Sequence, residues 1–471
     1  MQPVLVGREK EAQLLKKYIE SDRSEFIAVY GRRRVGKTFL IRQVVGKNMA
    51  FSFSGMENAS LATQLENFHL SLLKKISEVS KPTTWLSAFD QLERYLDNLG
   101  PGSKIVFIDE LPWLDTARAQ FISALEHFWN NFASDRNDIK LIVCGSATSW
   151  MIDKLICNRG GLHNRVTHQI EILPFTLNEA EKYFNTYGFG YRRKEIAECY
   201  MAFGGVPYYF SLMNADESVA QNIDRLVFSR TGELRLEFQN LYRSLFKQSA
   251  GHEAVIKALA TKKIGLTRKE ILDTTGLNNN KAFSIVLTEL EQCGFTREYT
   301  PIGDTKRDIL IQLVDHFTLF HFYFEAENKT QDDQFWTNSL RSPLFKTWSG
   351  LAFEMLCLNH VPQIKAALGI AGVQSRVCSW RTHKSSSKGA QIDLLIDRAD
   401  QTINICEMKF AKDEYEITKK DSESFDNKIE AFISETKTRK SVMFTMVTSF
   451  GLKHNKYSGS VQKELTLDNL F

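Results

Sequence analysis

The sequence predicts an α/β protein, because short buried strands alternate with helical stretches along its first half. Apolar runs at residues 26–30, 104–108 and 140–143 are typical of strands that are buried on both faces of a sheet. Helix-period stretches at residues 61–77 and 85–99 separate the first two of these runs. Strands that alternate with helices in this way favour a parallel sheet covered by helices.

The chain is too long for a single hydrophobic core. At 471 residues, we expect roughly two to four domains. A hydrophobic content of 43% and a charged content of 25% are ordinary for a soluble globular protein. The net charge of +4 neither requires nor excludes a nucleic-acid partner, so any basic surface must be local.

The cysteines and the apolar segments predict a cytoplasmic protein without a membrane partner. The seven cysteines are scattered without C-x-x-C spacing, which argues against a zinc site or a disulfide framework. The first ten residues contain no signal-peptide apolar region. The most apolar run, residues 317–324, is far too short to span a bilayer.

A phosphate-binding loop follows the first strand. Residues 31–38, GRRRVGKT, fit the pattern G-x-x-x-x-G-K-[ST] between a strand and a helix. Glycines let backbone N–H groups surround phosphate oxygens, and the positive end of the helix points at the same anion. Lys37 is expected to reach the β- and γ-phosphates, and Thr38 to ligate Mg²⁺. We therefore predict ATP and Mg²⁺ as ligands, with the nucleotide held by Gly31, Arg32, Arg33, Arg34, Val35, Gly36, Lys37, Thr38 and Phe39.

A second strand ends in two acidic residues. Residues 104–110, KIVFIDE, fit the Walker B pattern. Asp109 would hold Mg²⁺ through water. Glu110 would act as the general base that polarises the attacking water. The presence of Glu110 indicates hydrolysis, since a protein that only binds nucleotide does not need this residue.

Two further polar positions are candidates for sensing the γ-phosphate. One is Ser146 or Thr148, which follow the strand at residues 140–143 and would contact the γ-phosphate from the end of that strand. Alternatively, the hydroxyl forms its hydrogen bond within a local turn. Arg165 would face the γ-phosphate, in its own subunit or in a neighbouring one, unless it is an ordinary surface arginine.

With these motifs the chain resembles the archaeal-type ATPase family, a branch of the STAND and AAA+ P-loop NTPases. The resemblance covers roughly residues 1–235 and rests on VGRE, GRRRVGKT, IVFIDE, CGSATS, NRVTHQIEILPF and GGVPY. It implies that VGRE, at residues 6–9, contacts adenine. It also implies that GGVPY, at residues 204–208, lies in a small helical lid. Asn164 stands where the family usually has a glycine before the arginine.

The next segment resembles a winged-helix domain. Helical stretches at residues 253–262 and 278–292, with a further helix between them that opens at residues 266–270, precede a predicted hairpin of residues 295–300 and 307–314. If this domain binds DNA, the helix at residues 279–290 would enter the major groove. The phosphates would then be bound by Lys281, Arg297, Lys306 and Arg307. Alternatively, the domain packs other domains together.

A second set of charged residues follows a polar segment, residues 328–342, that we interpret as a linker. Asp393 lies on one predicted strand, and Glu407 and Lys409 share one face of the next. Two carboxylates there would hold a divalent metal, and Lys409 would orient a water. Glu354, on the preceding helix, would complete the set. The pattern resembles a PD-(D/E)xK nuclease; otherwise it is a hairpin with solvated charges.

The sequence therefore predicts a four-part chain. A P-loop ATPase core at residues 1–170 is followed by a helical lid at 171–240, a winged-helix domain at 241–327, and a restriction-endonuclease-like α/β domain at 328–471. The expected function is ATP hydrolysis coupled to DNA binding or to metal-dependent DNA cleavage. The alternatives are a STAND-like signalling protein and a transcriptional regulator, each with a non-cleaving C-terminal domain. The sequence allows a homo-oligomer but does not predict an oligomeric state. The predicted catalytic residues are Lys37, Glu110, Arg165, Asp393, Glu407 and Lys409, and the predicted metal ligands are Thr38, Asp109, Glu354, Asp393 and Glu407.

Overall fold

The computed structural model describes residues 4–116, 118–157, 164–246, 248–262, 265–299, 302, 309–329, 331–382 and 389–471. The chain divides into two compact units, one ending at Pro174 and the other running from Phe175 to Phe471. Among the described residues, no helix is both long enough and apolar enough to cross a membrane.

The N-terminal unit is built on a five-stranded sheet whose described strand pairs are all parallel, in the order β2-β3-β4-β1-β5. The strands are β1 (Glu25–Tyr30), β2 (Met49–Ser54), β3 (Lys104–Asp109), β4 (Ile139–Gly145) and β5 (His168–Glu171). The helices are α1 (Glu9–Ile19), α2 (Lys37–Val45), α3 (Leu61–Leu73), α4 (Trp85–Asp97), α5 (Phe121–Phe128) and α6 (Thr148–Trp150). The predicted α/β class with a parallel sheet is confirmed.

The three central strands of this sheet, β1, β3 and β4, are buried on both faces, which explains why they are apolar along most of their length. On β1, Phe26 and Ala28 belong to one apolar core, whereas Ile27 and Val29 belong to the core on the opposite face. Successive side chains of a strand point to opposite faces. A strand covered on both sides therefore needs apolar residues at every position.

The strand order brings three strand ends together. Strand β4 lies between β1 and β3, and parallel strands present their carboxyl ends at one edge of the sheet. The phosphate-binding loop follows β1, Asp109 ends β3, and Gly145 ends β4. The sheet thus places the two predicted nucleotide motifs on either side of the residues that follow β4.

The second unit begins with helices. Capping boxes stabilise the starts of helices here. In each box, the hydroxyl of the capping residue accepts a hydrogen bond from the backbone N–H three residues later, and the side chain of that later residue accepts one from the backbone N–H of the cap. Such pairs are Thr176 with Glu179 and Ser218 with Gln221. The helices are α7 (Leu177–Thr186), α8 (Arg193–Phe203), α9 (Pro207–Ser211), α10 (Val219–Ile223), α11 (Glu237–Leu245) and α12 (Ser249–Ala260).

A small antiparallel sheet follows, with described strands in the order β6-β8-β7. Its strands are β6 (Leu266–Thr267), β7 (Thr296–Tyr299) and β8 (Leu310–Leu313), and the helices beside them are α13 (Arg268–Thr275) and α14 (Lys281–Gln292). The winged-helix assignment of this segment stays a prediction. Of the residues predicted to bind DNA phosphates, Lys306 and Arg307 lie outside the described residues. Lys281 is exposed at the start of α14.

The interpretation of residues 328–342 as a linker is wrong. The segment contains α16 (Phe335–Ser339), between α15 (His316–Phe320) and α17 (Pro343–Asn359). Trp336 is buried and packs against Phe320, Phe324 and Trp348, with ring centroids 4.8–5.2 Å apart. The backbone N–H of Trp336 donates to the Asp224 carboxylate at 2.9 Å. One large aromatic side chain thus anchors an otherwise polar segment.

The C-terminal part of the unit contains a mixed sheet in the order β15-β13-β11-β10-β9. Strands β9, β10 and β11 pair antiparallel, whereas β11 with β13 and β13 with β15 pair parallel. The strands are β9 (Ser375–Arg381), β10 (Gln391–Arg398), β11 (Thr402–Lys409), β12 (Tyr415–Glu416), β13 (Ser441–Thr448), β14 (Leu452–Lys453) and β15 (Lys463–Thr466). The helices are α18 (Val361–Ala367) and α19 (Lys419–Thr436). The nuclease-like assignment of this sheet stays a prediction.

Candidate functional site

The phosphate-binding loop depends on two glycines. Gly31 has φ +142°, and a Cβ there would lie 2.2 Å from the carbonyl oxygen of Ile172. Any side chain at this position would therefore push the loop away from the segment that follows β5. Gly36, with φ +91°, is the residue just before α2, in a backbone conformation that L-residues with a side chain rarely adopt.

Lys37 lies inside the loop. It is buried, and its Nζ donates to the carbonyl oxygens of Gly31 and Arg32, at 2.8 Å each. These two carbonyls are acceptors that can be exchanged for phosphate oxygens, because the ammonium group carries three donors. The first turn of α2 adds the positive end of a helix to the same place.

Thr38 and Asp109 bring the oxygens of the two motifs together. The Thr38 hydroxyl donates to the Asp109 carboxylate, 3.1 Å from Oδ1 and 3.0 Å from Oδ2. The N–H of Glu110 also donates to Asp109 Oδ1, at 3.0 Å. A hydroxyl and a carboxylate in contact form an all-oxygen donor set of the kind that suits Mg²⁺. The predicted ligands therefore fit this metal.

Ser146 holds Glu110. The Glu110 Oε2 atom accepts hydrogen bonds from Ser146 N at 3.1 Å and from Ser146 Oγ at 2.8 Å. Glu110 itself has a left-handed backbone, with φ 47° and ψ 49°, which is uncommon for a residue with a side chain. Of the two hydroxyl candidates after β4, the structure thus pairs Ser146 with the predicted base. The Thr148 hydroxyl is buried and bonds to no partner among the described residues.

The end of β4 carries no competing ionised group. Burial raises the pKa of the Cys144 thiol well above its usual value, and the Asp109 carboxylate adds to the rise. The thiol is therefore neutral at physiological pH.

Arg8 is a residue whose position the sequence did not reveal. It is buried, its backbone is left-handed with φ 63°, and its Nη2 donates to the carbonyls of Val35, at 3.4 Å, and Leu173. Arg8 thus ties the phosphate-binding loop to the segment after β5. The VGRE motif pointed to residue 8, but the contact with the loop depends on the tertiary fold. The predicted adenine contact of this motif stays a prediction.

The other predicted nucleotide residues are placed as follows. Arg32 and Val35 are buried, whereas Arg33, Arg34 and Phe39 are partly exposed around the loop and the first turn of α2. Arg165 is exposed, and its proposed role at the γ-phosphate stays a prediction.

In the second unit, Glu407 and Lys409 are together, as their spacing predicts. They lie on one face of β11, and Lys409 Nζ is 2.8 Å from Glu407 Oε1. A third residue, Lys428 of α19, was not predicted. Its Nζ lies 2.6 Å from Glu407 Oε2. Both carboxylate oxygens of Glu407 are therefore paired with ammonium groups, on the side of the sheet where α19 packs.

A β-bulge lies at Asp393 on the neighbouring strand, β10. The pairing of β10 with β9 shifts by one residue between Ile392 and Leu395. Both of these side chains belong to the apolar core that also contains Ile405 of β11 and Phe425 of α19. Because the two core residues are three positions apart, the residues between them point away from this core.

The surroundings of Asp393 agree with this orientation. Gln391, two residues earlier on β10, donates a hydrogen bond to the Asp393 carboxylate. Burial raises the pKa of Tyr299 to about 12, and the Asp393 carboxylate adds to the rise. The bulge inserts an extra residue into β10, and the predicted convergence of Asp393 with Glu407 and Lys409 at one point stays a prediction.

Glu354 also lies elsewhere. It is buried on α17 and lines a cavity of about 120 Å³ with Gln312 and Leu259. Burial lowers the pKa of Arg297, and the negative charge of Glu354 partly offsets this effect. In the part of the chain that the structure describes, no three His, Cys, Asp or Glu side chains are arranged to hold a metal ion. The predicted donor set Glu354, Asp393 and Glu407 therefore does not fit a divalent metal in this structure.

Arg297 is not available for the phosphate contact predicted for it. It is half-buried, and its Nε and Nη2 donate to Gln312 Oε1 at 3.0 and 2.6 Å. The reason is that β7 pairs with β8 in a register that sets Arg297 opposite Gln312.

Comparisons with known proteins identify the N-terminal part. Residues 5–213 match the family model of an ATPase domain found predominantly in Archaea. This part of the chain is therefore similar to an ATPase domain, and it contains both nucleotide motifs. An uncharacterized protein of Methanocaldococcus jannaschii is 25% identical over 327 residues, which cover 69% of this chain and 70% of that protein.

Among solved structures, the chain is similar to a Walker-type ATPase of Pyrococcus abyssi, with 16% identity and a TM-score of 0.45, over 67% of this chain and 95% of that one. It is also similar to the Aeropyrum pernix ORC2 protein in ADPNP and ADP complexes, with 14% identity and a TM-score of 0.40, over 68% and 93% of the two chains. A Thermotoga maritima RuvB variant matches with 13% identity and a TM-score of 0.34, over 65% and 92% of the two chains.

Proposed function

We propose that this chain hydrolyses ATP at residues 31–38 and uses its nucleotide state to control DNA binding by its second unit. One observation carries the hydrolysis. Glu110 directly follows Asp109 at the end of β3, and its carboxylate is held at a fixed position by Ser146, 2.8 Å away. A carboxylate placed beside the phosphate-binding loop in this way is suited to act as a general base.

The chemistry follows from the positions of the side chains. The loop N–H groups and Lys37 bind the β- and γ-phosphates, and Lys37 exchanges the carbonyls of Gly31 and Arg32 for phosphate oxygens. Thr38 and Asp109 would hold Mg²⁺, which when bound neutralises charge that develops on the phosphates. Glu110 accepts the proton of the attacking water. Ser146, which donates to Glu110, keeps the carboxylate oriented until the water is in place.

For the second unit, the geometry favours DNA binding over cleavage. Two carboxylates on one metal are the minimum that the PD-(D/E)xK chemistry needs. Here Glu407 is paired with Lys409 and Lys428, and Asp393 accepts a hydrogen bond from Gln391. Exposed Lys281 at the start of α14 supports a DNA-binding role for the segment that resembles a winged helix.

A second candidate function is metal-dependent DNA cleavage. The contact of 2.8 Å between Lys409 and Glu407 is the observation that favours it, since this pair is the ExK half of the nuclease pattern. Cleavage requires that Lys428 leave Glu407 and that β10 turn Asp393 toward the pair. Binding of ATP or DNA would have to drive that rearrangement.

A plasmid-nicking assay separates the two candidates. The chain is incubated with supercoiled plasmid and Mg²⁺ or Mn²⁺, with and without ATP, beside its Asp393→Ala and Lys409→Ala variants. We expect no metal-dependent nicking by any of the three proteins. Nicking by the wild-type chain that is lost in both variants would establish cleavage and overturn the non-cleaving interpretation. Nicking that is equal in all three would indicate a contaminating nuclease.

A further inference from the structure

The second unit contains a groove beside the end of β11 that no motif of the sequence accounts for. It has a volume of about 600 Å³, within the range of roughly 300–1,000 Å³ that is common for ligand sites. Its apolar floor includes Phe345 of α17 and Phe410, which directly follows Lys409. Three of its lining residues are cationic, and among the described residues that line it none is acidic; the cations are Arg341, Lys346 and Lys412.

These three cations differ from the lysines of the neighbouring sheet. Lys409 and Lys428 are both paired with Glu407. By contrast, Arg341, Lys346 and Lys412 are exposed, and none of them forms an ion pair with a described residue. Glu198 interacts with Lys412 electrostatically but does not form an ion pair with it. The groove therefore presents positive charge that the described residues of the second unit leave without a close counterion.

An apolar floor under a cationic rim fits one kind of ligand well. A single nucleic-acid strand carries a phosphate at every residue and exposes unstacked bases, which pack on apolar and aromatic side chains. A duplex offers the phosphates but keeps its bases stacked inside. We propose that the groove binds a single strand of DNA, with its phosphates on Arg341, Lys346 and Lys412 and a base on Phe410. This inference rests on the proposed DNA binding and assigns it a surface.

The groove also lies close to the charged pair of β11. Phe410 lines the groove, and the residue before it in the chain, Lys409, is bonded to Glu407. Phe410 packs on Phe353 of α17, with ring centroids 5.6 Å apart, which fixes its ring as part of a rigid wall. A strand in the groove would therefore pass the end of β11, where the ExK pair lies.

Fluorescence anisotropy of a labelled oligothymidylate, titrated with the whole 471-residue chain, tests the proposal. We expect Lys346→Glu and Lys412→Glu each to weaken binding about tenfold. We also expect the slope of log affinity against log salt to fall by about 0.7 for each DNA phosphate that the variant no longer neutralises. Lys17→Glu is the matched control, since Lys17 is an exposed lysine of the N-terminal unit, and it should bind as the wild type does. A hairpin duplex of the same sequence content should bind more weakly than the single strand.

Photocrosslinking gives an independent measurement. An oligonucleotide that contains 5-iododeoxyuridine should crosslink to peptides that include Phe410 or residues 341–346, and Lys346→Glu should reduce the yield. Groove variants that bind like the wild type, with crosslinks elsewhere, would overturn the groove and leave DNA binding by another surface. No binding of any single strand or duplex by the wild type would overturn both the groove and the DNA part of the proposed function. ATP hydrolysis, measured without DNA, should be the same in the wild type and the groove variants.

Discussion

Glu110→Gln is expected to abolish ATP turnover while ATP still binds. The amide cannot accept a proton from water, and removal of a general base typically lowers the rate by about 10²- to 10⁴-fold. The change is nearly isosteric, and the amide oxygen still accepts the hydrogen bonds of Ser146, which the carboxylate accepts at 2.8 and 3.1 Å. Steady-state phosphate release measures turnover, and titration with a fluorescent ATP analogue measures binding.

A matched control keeps this result interpretable. Glu20→Gln makes the same chemical change at an exposed glutamate just after α1, and it should leave turnover unchanged. If Glu110→Gln retains turnover within about threefold of the wild type, the general base is another residue. In that case Glu110 would serve only to hold the Ser146 segment.

Lys37→Ala is expected to remove most of the affinity for ATP. The ammonium group is buried in the loop, where it donates hydrogen bonds to the carbonyls of Gly31 and Arg32. The variant loses the charge that would meet the phosphates, and charge-assisted hydrogen bonds of this kind contribute about 1.5–3 kcal/mol, more when they are buried. An affinity loss of at least about tenfold to a hundredfold follows. Isothermal titration calorimetry with ATP measures it.

The control for this variant is Lys47→Ala. Lys47 is an exposed lysine shortly after the other end of α2, so its removal changes the net charge equally without touching the loop. Its ATP affinity should equal that of the wild type. An unchanged ATP affinity in Lys37→Ala would show that the loop does not hold the phosphates, and hydrolysis at this site would then be excluded.

The nucleotide motifs could be predicted from the sequence because each of them is local. Residues 31–38 and the two acids at the end of β3 are recognisable from a strand and the residues that follow it. The pairing of Ser146 with Glu110 is different, since it depends on β4 lying between β1 and β3. That strand order is a tertiary property, and the sequence left Ser146 and Thr148 as equal candidates.

The second set of charged residues shows where spacing fails. The i, i+2 spacing of Glu407 and Lys409 predicted their contact, because side chains on a regular strand alternate. The same rule does not give the face of Asp393, because a bulge in β10 adds one residue there. Lys428 could have been found only from the packing of α19 on the sheet. Likewise, the burial of Trp336 was not predicted, because residues 328–342 are mostly polar.

The central claim is that nucleotide state controls DNA binding. The Glu110→Gln variant should hold ATP without hydrolysing it, so its affinity for a labelled single strand can be measured by anisotropy with ATP and again with ADP. We predict that the two affinities differ by at least about fivefold, the lower end of typical coupling between two sites. Lys37→Ala should show no such dependence on nucleotide. Equal affinities of Glu110→Gln for DNA in ATP and in ADP would contradict the account.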